Sequence, residues 1–282
     1  MGKQTGKDLN AISVSRDGKW VVCGTTEGAS VWDAELQRKI VEVEDTDYVN
    51  AVDISPEPTR FATGTGSVSK KASIWSITTG GRLVGPLQHD EVVRGIKFSP
   101  DGRHIATAST YTIYIFDSYN GDQLITIKSP VPNHYSTIPI VWPSDGRLFA
   151  ISRDGKIKSF DMSTGSQLAE WQVHSHNSSN PISIALSANN SFIACSSDRS
   201  VSFWDTSTHT QLGSVLEHDD EIRGIAFSPN GGHLAIGGDN NETITIWNLS
   251  DILPESNVPV KVSTTLPMLE WPITFVYQST FL

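Results

Sequence analysis

The sequence predicts an all-β chain built from six tandem four-stranded units. Three observations carry that expectation. An aromatic residue followed by a small polar or acidic one recurs at Trp32-Asp33, Trp75-Ser76, Phe116-Asp117, Phe160-Asp161, Trp204-Asp205 and Trp247-Asn248, at intervals of 41 to 44 residues. Within the apolar runs the period is two, which places alternate side chains on opposite faces of a strand. Turn-forming clusters separate the runs, and no amphipathic stretch is long enough for a helix.

Each unit follows one order. A first strand alternates apolar residues, as in Ala11 to Val14, Val93 to Phe98 and Ile222 to Phe227. A turn such as Ser99-Pro100-Asp101-Gly102 or Ser228-Pro229-Asn230-Gly231 reverses the chain, because Pro presets φ and Gly accepts positive φ. A second apolar run follows (Trp20 to Val22, His104 to Ala106, Phe192 to Ala194). A third ends at the aromatic (Ile113 to Phe116, Val201 to Trp204, Ile244 to Trp247), and a more polar fourth closes the unit, as in Gln123 to Ile127. Ile, Val, Phe and Thr fill these positions as strands require. The Ser-Pro dipeptides at Ser55, Ser99 and Ser228 fall at one place in their units and read as turns, not as kinase targets.

These units resemble WD40 repeats, whose period is about 40–45 residues with four strands per β-propeller blade. The phrase Phe98-Ser99-Pro100-Asp101-Gly102-Arg103 and the run from Ser197-Asp198 to Phe203-Trp204-Asp205 carry the resemblance. The tandem wording also resembles repeat arrays attached to fungal nucleotide-binding immune-type receptors. The fold implied is an all-β WD40-type propeller over residues 9–282, behind a polar tail of residues 1–8. Six blades are complete. Val258 to Val262 reads as a closing outer strand, and residues 271–282 open a seventh unit with a first-strand pattern from Trp271 to Val276.

The resemblance also implies a hydrogen-bond network inside each blade, linking a His before the first strand, a Ser, an Asp and the Trp. The fifth unit offers His176 or His174 with Ser196, Asp198 and Trp204. The fourth offers His134, Ser152 and Asp154 but has Phe160 in place of Trp, and the third offers His89 with Phe116. The sixth offers His218 and Trp247.

Composition narrows the function. With 21 Lys+Arg against 31 Asp+Glu the net charge is −10, and the longest basic run is Lys70-Lys71, so nucleic acid is not an expected partner. No apolar run of membrane-spanning length occurs, and the first ten residues lack a secretory signal, so the chain reads as cytoplasmic or nuclear with no membrane partner. Cys23 and Cys195 are too far apart in sequence to suggest a metal cluster and read as buried thiols. His174-Ser175-His176 lacks the further ligands a metal needs, with His134 as the sole other candidate. Gly64 to Lys71 lacks the Gly-Lys-Ser/Thr order of a phosphate loop, and Asp219-Asp220-Glu221 reads as a solvated run. No catalytic, metal or cofactor site is expected.

What remains is an interaction surface. By the resemblance, the start of each first strand lies on one rim. Asn10, Asn50, Arg94, Ile138, Ile182 and Arg223 hold equivalent slots, and Trp271 holds the same slot in the partial unit. Arg153 is expected on the same rim. Arg and Trp are frequent interface anchors. Asn10, Asn50, Arg94, Arg153, Arg223 and Trp271 are the candidate partner-binding residues, and the expected role is a non-catalytic scaffold for protein or peptide partners. The alternative is a sensor or autoinhibitory module of a larger signalling protein. Arg is absent two residues after the Trp-Asp pairs, which argues against recruitment to cullin-type ubiquitin ligases.

Overall fold

The computed structural model describes residues 9–44, 47–66, 68–128, 138–152, 154–174, 183–238 and 244–253. They fall into two compact units, one reaching to Gln172 and one beginning at Val173.

The first unit holds four antiparallel sheets, each with its strands in sequence order. Sheet 1 is β1 (Leu9–Val14), β2 (Trp20–Thr25), β3 (Gly28–Asp33) and β4 (Arg38–Glu44). Sheet 2 is β5 (Val49–Ile54), β6 (Arg60–Thr65), β7 (Lys71–Ser76) and β8 (Arg82–Gln88). Sheet 3 is β9 (Gly95–Phe98), β10 (His104–Ala108), β11 (Thr112–Asp117) and β12 (Gln123–Lys128). Sheet 4 is β13 (Ile140–Val141), β14 (Arg147–Ile151), β15 (Lys156–Asp161) and β16 (Gln167–Gln172).

The second unit holds two. Sheet 5 is β17 (Ile184–Leu186), β18 (Phe192–Ser197), β19 (Ser200–Asp205) and β20 (Gln211–Glu217). Sheet 6 has three described strands, β21 (Ile222–Phe227), β22 (His233–Gly238) and β23 (Ile244–Asn248), followed by a 3₁₀ turn at Leu249–Asp251. The outer strand expected at Val258 to Val262 and the strand expected from Trp271 lie outside the described residues.

The alternation of side chains explains why the sheets stack. Inner strands are apolar on both faces, so one sheet cannot bury itself. In the first unit, Val31 of β3 shares a cluster with Val52 and Phe61 of sheet 2. Ile74 of β7 meets Ile96 and Ile105 of sheet 3, and Ile115 of β11 meets Ile140 and Leu148 of sheet 4. In the second unit, Phe203 of β19 meets Leu234 and Ile236 of sheet 6. The outer strands β4, β8, β12, β16 and β20 expose more residues than they bury, as the polar composition of the fourth runs requires.

The Ser-Pro and Ser-x-Asp turns share one device. The hydroxyls of Ser15, Ser55, Ser99, Ser187 and Ser228 each accept the backbone N–H five residues on, from Trp20, Arg60, His104, Phe192 and His233, at 2.9 to 3.1 Å. Four of them also donate to a residue two positions on: Asp17, Asp101, Asn189 and Asn230. The acidic partner of the repeated aromatic works the next turn. Asp33, Asp117, Asp161 and Asp205 each accept backbone N–H groups two or three residues on. Such local bonds satisfy turn backbone that no ladder reaches.

Sheets 2 and 3 are also stapled by charge. The guanidinium of Arg60 is buried, donates to the carbonyls of Ser118 (2.9 Å) and Gly102 (2.8 Å), pairs with Glu57 and lies over Tyr119. Its charge is desolvated but fully engaged, the condition under which a buried cation is tolerated.

Candidate functional site

The expected rim residues share a backbone irregularity. In sheet 1, Leu9 pairs with Thr25 and Ala11 with Gly24, so Asn10 is one residue too many for the ladder. In sheet 2, Val49 pairs with Thr65 and Ala51 with Gly64, leaving Asn50 as the extra residue. In sheet 6, Ile222 pairs with Gly238 and Gly224 with Gly237, leaving Arg223. Sheet 3 has the same form: the N–H of Arg94 reaches Ala108 O at 2.8 Å, while the next residue, Gly95, is the ladder partner of Ala108. A bulge re-aims the extra side chain and bends the strand. Here it lifts one residue per sheet out of the alternation that feeds the core. Arg153 and Trp271 lie outside the described residues, as do His134, His176 and Ile182.

In the first unit these bulges sit side by side. Asp53 of β5 is buried and binds the neighbouring first strands. Its carboxylate accepts the N–H of Phe98 (2.8 Å), the ammonium of Lys97 (2.8 Å) and, at 3.4 Å, the hydroxyl of Ser13. Gly95 permits the close approach of sheet 4, since a Cβ there would stand 2.2 Å from Ile138 O. Arg94 is half-buried; burial lowers its pKa, and the charge of Glu91 opposes that. In the second unit the guanidinium of Arg223 lies 3.7 Å from Glu221.

Sequence reasoning missed four neighbours. Tyr48, Val68 and Tyr111 are exposed on the face that carries the bulges. Asp47 is buried and organises that face: one oxygen accepts the N–H groups of Val68 (2.9 Å) and Ser69 (2.7 Å) and the Ser69 hydroxyl, and the other accepts Tyr48 N–H. These bonds hold the carboxyl below the usual carboxylate range, against the opposing effect of burial. The carboxylate clamps the turn between β6 and β7 and holds Tyr48 and Val68 together. Nothing in the polar sequence around Asp47 marks it. Three apolar residues at turn tips, where polar ones are usual, were the available signal.

The blade-pinning residues take different partners from those expected. Trp204 donates its indole N–H to Ser202 of its own strand (2.8 Å), not toward Ser196. Ser196 instead meets the backbone of Ser183. The reason is register: Trp204 pairs with Ile193 and Ser202 with Cys195, so Cys195 holds the cross-strand slot and Ser196 points to the other face. Asp198 stands in the next turn with φ of 52°, and its carbonyl accepts Ile222 N–H. Ser152 and Asp154 bond to each other and, through Ser152, to Lys156 O; they hold their own turn. His89 is buried, donates from Nδ1 to Leu87 O (2.9 Å) and accepts at Nε2 from Thr107 (2.7 Å). Burial pushes its pKa down to about 4, so it is neutral. His218 Nε2 meets Thr245 (3.1 Å), and among the described residues the indole N–H of Trp247 has no partner.

No group of three or more His, Cys, Asp or Glu among the described residues is placed to hold a metal ion. None of the described helices is long and apolar enough to cross a membrane. Burial raises the pKa of both thiols, Cys23 to about 11 and Cys195 further.

The family model "WD domain, G-beta repeat" matches residues 81–117, 165–205 and 209–248. These three segments are WD40 repeats of β-propeller type. Among solved structures the chain is similar to the crystal structure of the Myceliophteria thermophila Cps50 (Swd1) beta-propeller domain, at 18% identity with a TM-score of 0.71. The match covers 86% of this chain and 82% of that one. That likeness shows the fold: an all-β propeller whose six described blades are sheets 1 to 6. Because 1809 solved chains match, the fold selects no particular partner. Comparison with curated proteins finds none similar to this chain. WD40 propellers are generally non-catalytic scaffolds that bind protein partners.

Proposed function

We propose that this propeller is a non-catalytic docking module, cytoplasmic or nuclear, that takes a protein or peptide partner on the face bearing the first-strand bulges. The observation that carries the reading is the recurrence of the bulge. Asn10, Asn50 and Arg94 stand on three consecutive blades, beside exposed Tyr48, Val68 and Tyr111. Aromatic and guanidinium groups set among polar ones form the composition of an interface core and rim. Arg94 and, in the second unit, Arg223 favour a partner segment bearing carboxylates, which guanidinium groups bind with two N–H donors. The two described His–hydroxyl pairs, His89–Thr107 and His218–Thr245, support no hydrolytic role, because each is spent on holding strands together.

The test is selection from a displayed peptide library, followed by binding measurements. Peptides enriched by the parent lose at least roughly tenfold in affinity with Arg94→Ala or Tyr111→Ala, the loss of an interface anchor. They keep it with Leu36→Ala, which alters an exposed apolar residue on the opposite turns. Equal binding by all variants sinks the reading.

A further inference from the structure

One side chain joins the first strands of sheets 1 to 3. Three residues after the bulge residues Asn10, Asn50 and Arg94 stand Ser13, Asp53 and Lys97. Asp53 is buried, and both of its carboxylate oxygens serve neighbouring sheets. Oδ2 accepts the N–H of Phe98 at 2.8 Å. Oδ1 accepts the ammonium of Lys97 at 2.8 Å and, more weakly, the hydroxyl of Ser13 at 3.4 Å.

Forming the strand does not require this group. Counted in the same way from Ile138, Ile182 and Arg223, the place is held by Val141, Ala185 and Ala226. A buried carboxylate costs free energy to desolvate, and apolar residues at such a place are often as stabilising or more so. What the carboxylate adds is direction, because it fixes where β9 lies against β5. A second tie holds the other end of the same segment, from Val93 N–H to Thr65 O of β6 at 3.1 Å. Arg94 stands between the two. Its own N–H goes to Ala108 O at 2.8 Å, and its carbonyl accepts Ile138 N–H at 3.1 Å.

We propose that Asp53 is a positioning residue of the docking face: by tying β9 to β5 it holds Arg94 at a fixed place beside Asn50. The proposal rests on the docking reading above. Asp53 touches no partner and acts through Arg94. It supplies preorganisation, since a site already fixed loses less binding free energy to ordering.

The test uses a peptide enriched by the parent chain, with binding measured well below the melting temperature of each variant. Asp53→Ala puts at this place the residue type of Ala185 and Ala226, so the fold tolerates it. It is expected to weaken binding about fivefold and to speed amide exchange at Phe98. Arg94→Ala, which costs the parent roughly tenfold, should cost only about twofold in the Asp53→Ala background. Asp53→Asn keeps an acceptor for Phe98 N–H and should restore most of the affinity. A carboxylate that only stabilises the fold would lower the melting temperature and leave the two losses independent. Independent losses, or parental affinity for Asp53→Ala while Arg94→Ala still weakens binding, would overturn this proposal alone. Parental affinity for Arg94→Ala and Tyr111→Ala would bring down the docking reading and the proposal with it.

Discussion

Sheets 2 and 5 carry the same Ser-x-Trp ending on their third strands yet hold their tryptophans differently. In sheet 2 the indole of Trp75 reaches across to Thr63 of β6 (2.9 Å), and among the described residues the buried hydroxyl of Ser73 has no partner. In sheet 5 the slot of Thr63 is filled by Cys195, and Trp204 turns to Ser202 instead. Sheet 1 repeats the second solution, with Cys23 opposite Ser30 and Trp32 donating to Ser30 (2.9 Å). One second-strand residue thus decides whether the indole bridges two strands or bonds along its own. Sheet 3 puts Thr107 in that slot and gives its hydroxyl to His89.

The largest effect expected from this slot is a pH dependence. Because the folded pKa of His89 is about 4 against an ordinary 6.5, the unfolded chain binds a proton in that window that the folded chain does not. The stability His89 contributes is whole above about pH 6.5 and is lost as pH falls toward 4, by roughly 2–3 kcal/mol. Urea denaturation at pH 7 and pH 4.5 should show a greater acid loss for the parent than for His89→Gln. An identical loss would mean that Thr107 and Leu87 do not hold the ring neutral.

A smaller effect separates sheets 2 and 5 directly. Ser202→Ala removes the acceptor of Trp204 and should cost about 1 kcal/mol. Ser73→Ala, at the equivalent position, removes a hydroxyl that meets no partner among the described residues and should leave stability unchanged or slightly raised. Equal costs in chemical denaturation would break the comparison. Cys195→Thr sharpens it, by offering Trp204 the cross-strand acceptor that Trp75 enjoys. The gain should be somewhat under about 1 kcal/mol, and Ser202→Ala should then cost little in that background.

The smallest effect lies in the turns between third and fourth strands. Gly80, Gly121 and Gly165 adopt positive φ there, while Gln37 and His209 hold the same place at φ of 50° and 60°. Side chains other than glycine are strained in that region. Gln37→Gly and His209→Gly should each add about 0.5 kcal/mol, the relief of strain exceeding the extra freedom of the unfolded chain. Lower midpoints for both would show that their side chains hold the turn.

Much of the blade was legible because it repeats. The aromatic-polar pairs and the Ser-Pro turns recur at a spacing that only one kind of unit satisfies, and each has a local hydrogen bond that needs no distant partner. Pinning was harder to read because it depends on strand register. Ser196 and Cys195 are neighbours in sequence, but alternation sends them to opposite faces, so an error of one residue names the wrong group. The rim residues were found as equivalent slots, whereas the bulge that sets them apart was not. Leu9-Asn10-Ala11 and Val49-Asn50-Ala51 look like ordinary alternation, and only pairing with the second strand reveals the extra residue.

The bulge also shapes how such a chain can diverge. A residue that stands outside the ladder's count can be exchanged without changing which neighbours face inward or how the strands are matched. Asn10, Asn50, Arg94 and Arg223 already show four slots filled by two quite different chemistries within one polypeptide. Duplicated copies of such a gene could therefore drift apart in what they recognise through a handful of codons, each copy keeping the same interior.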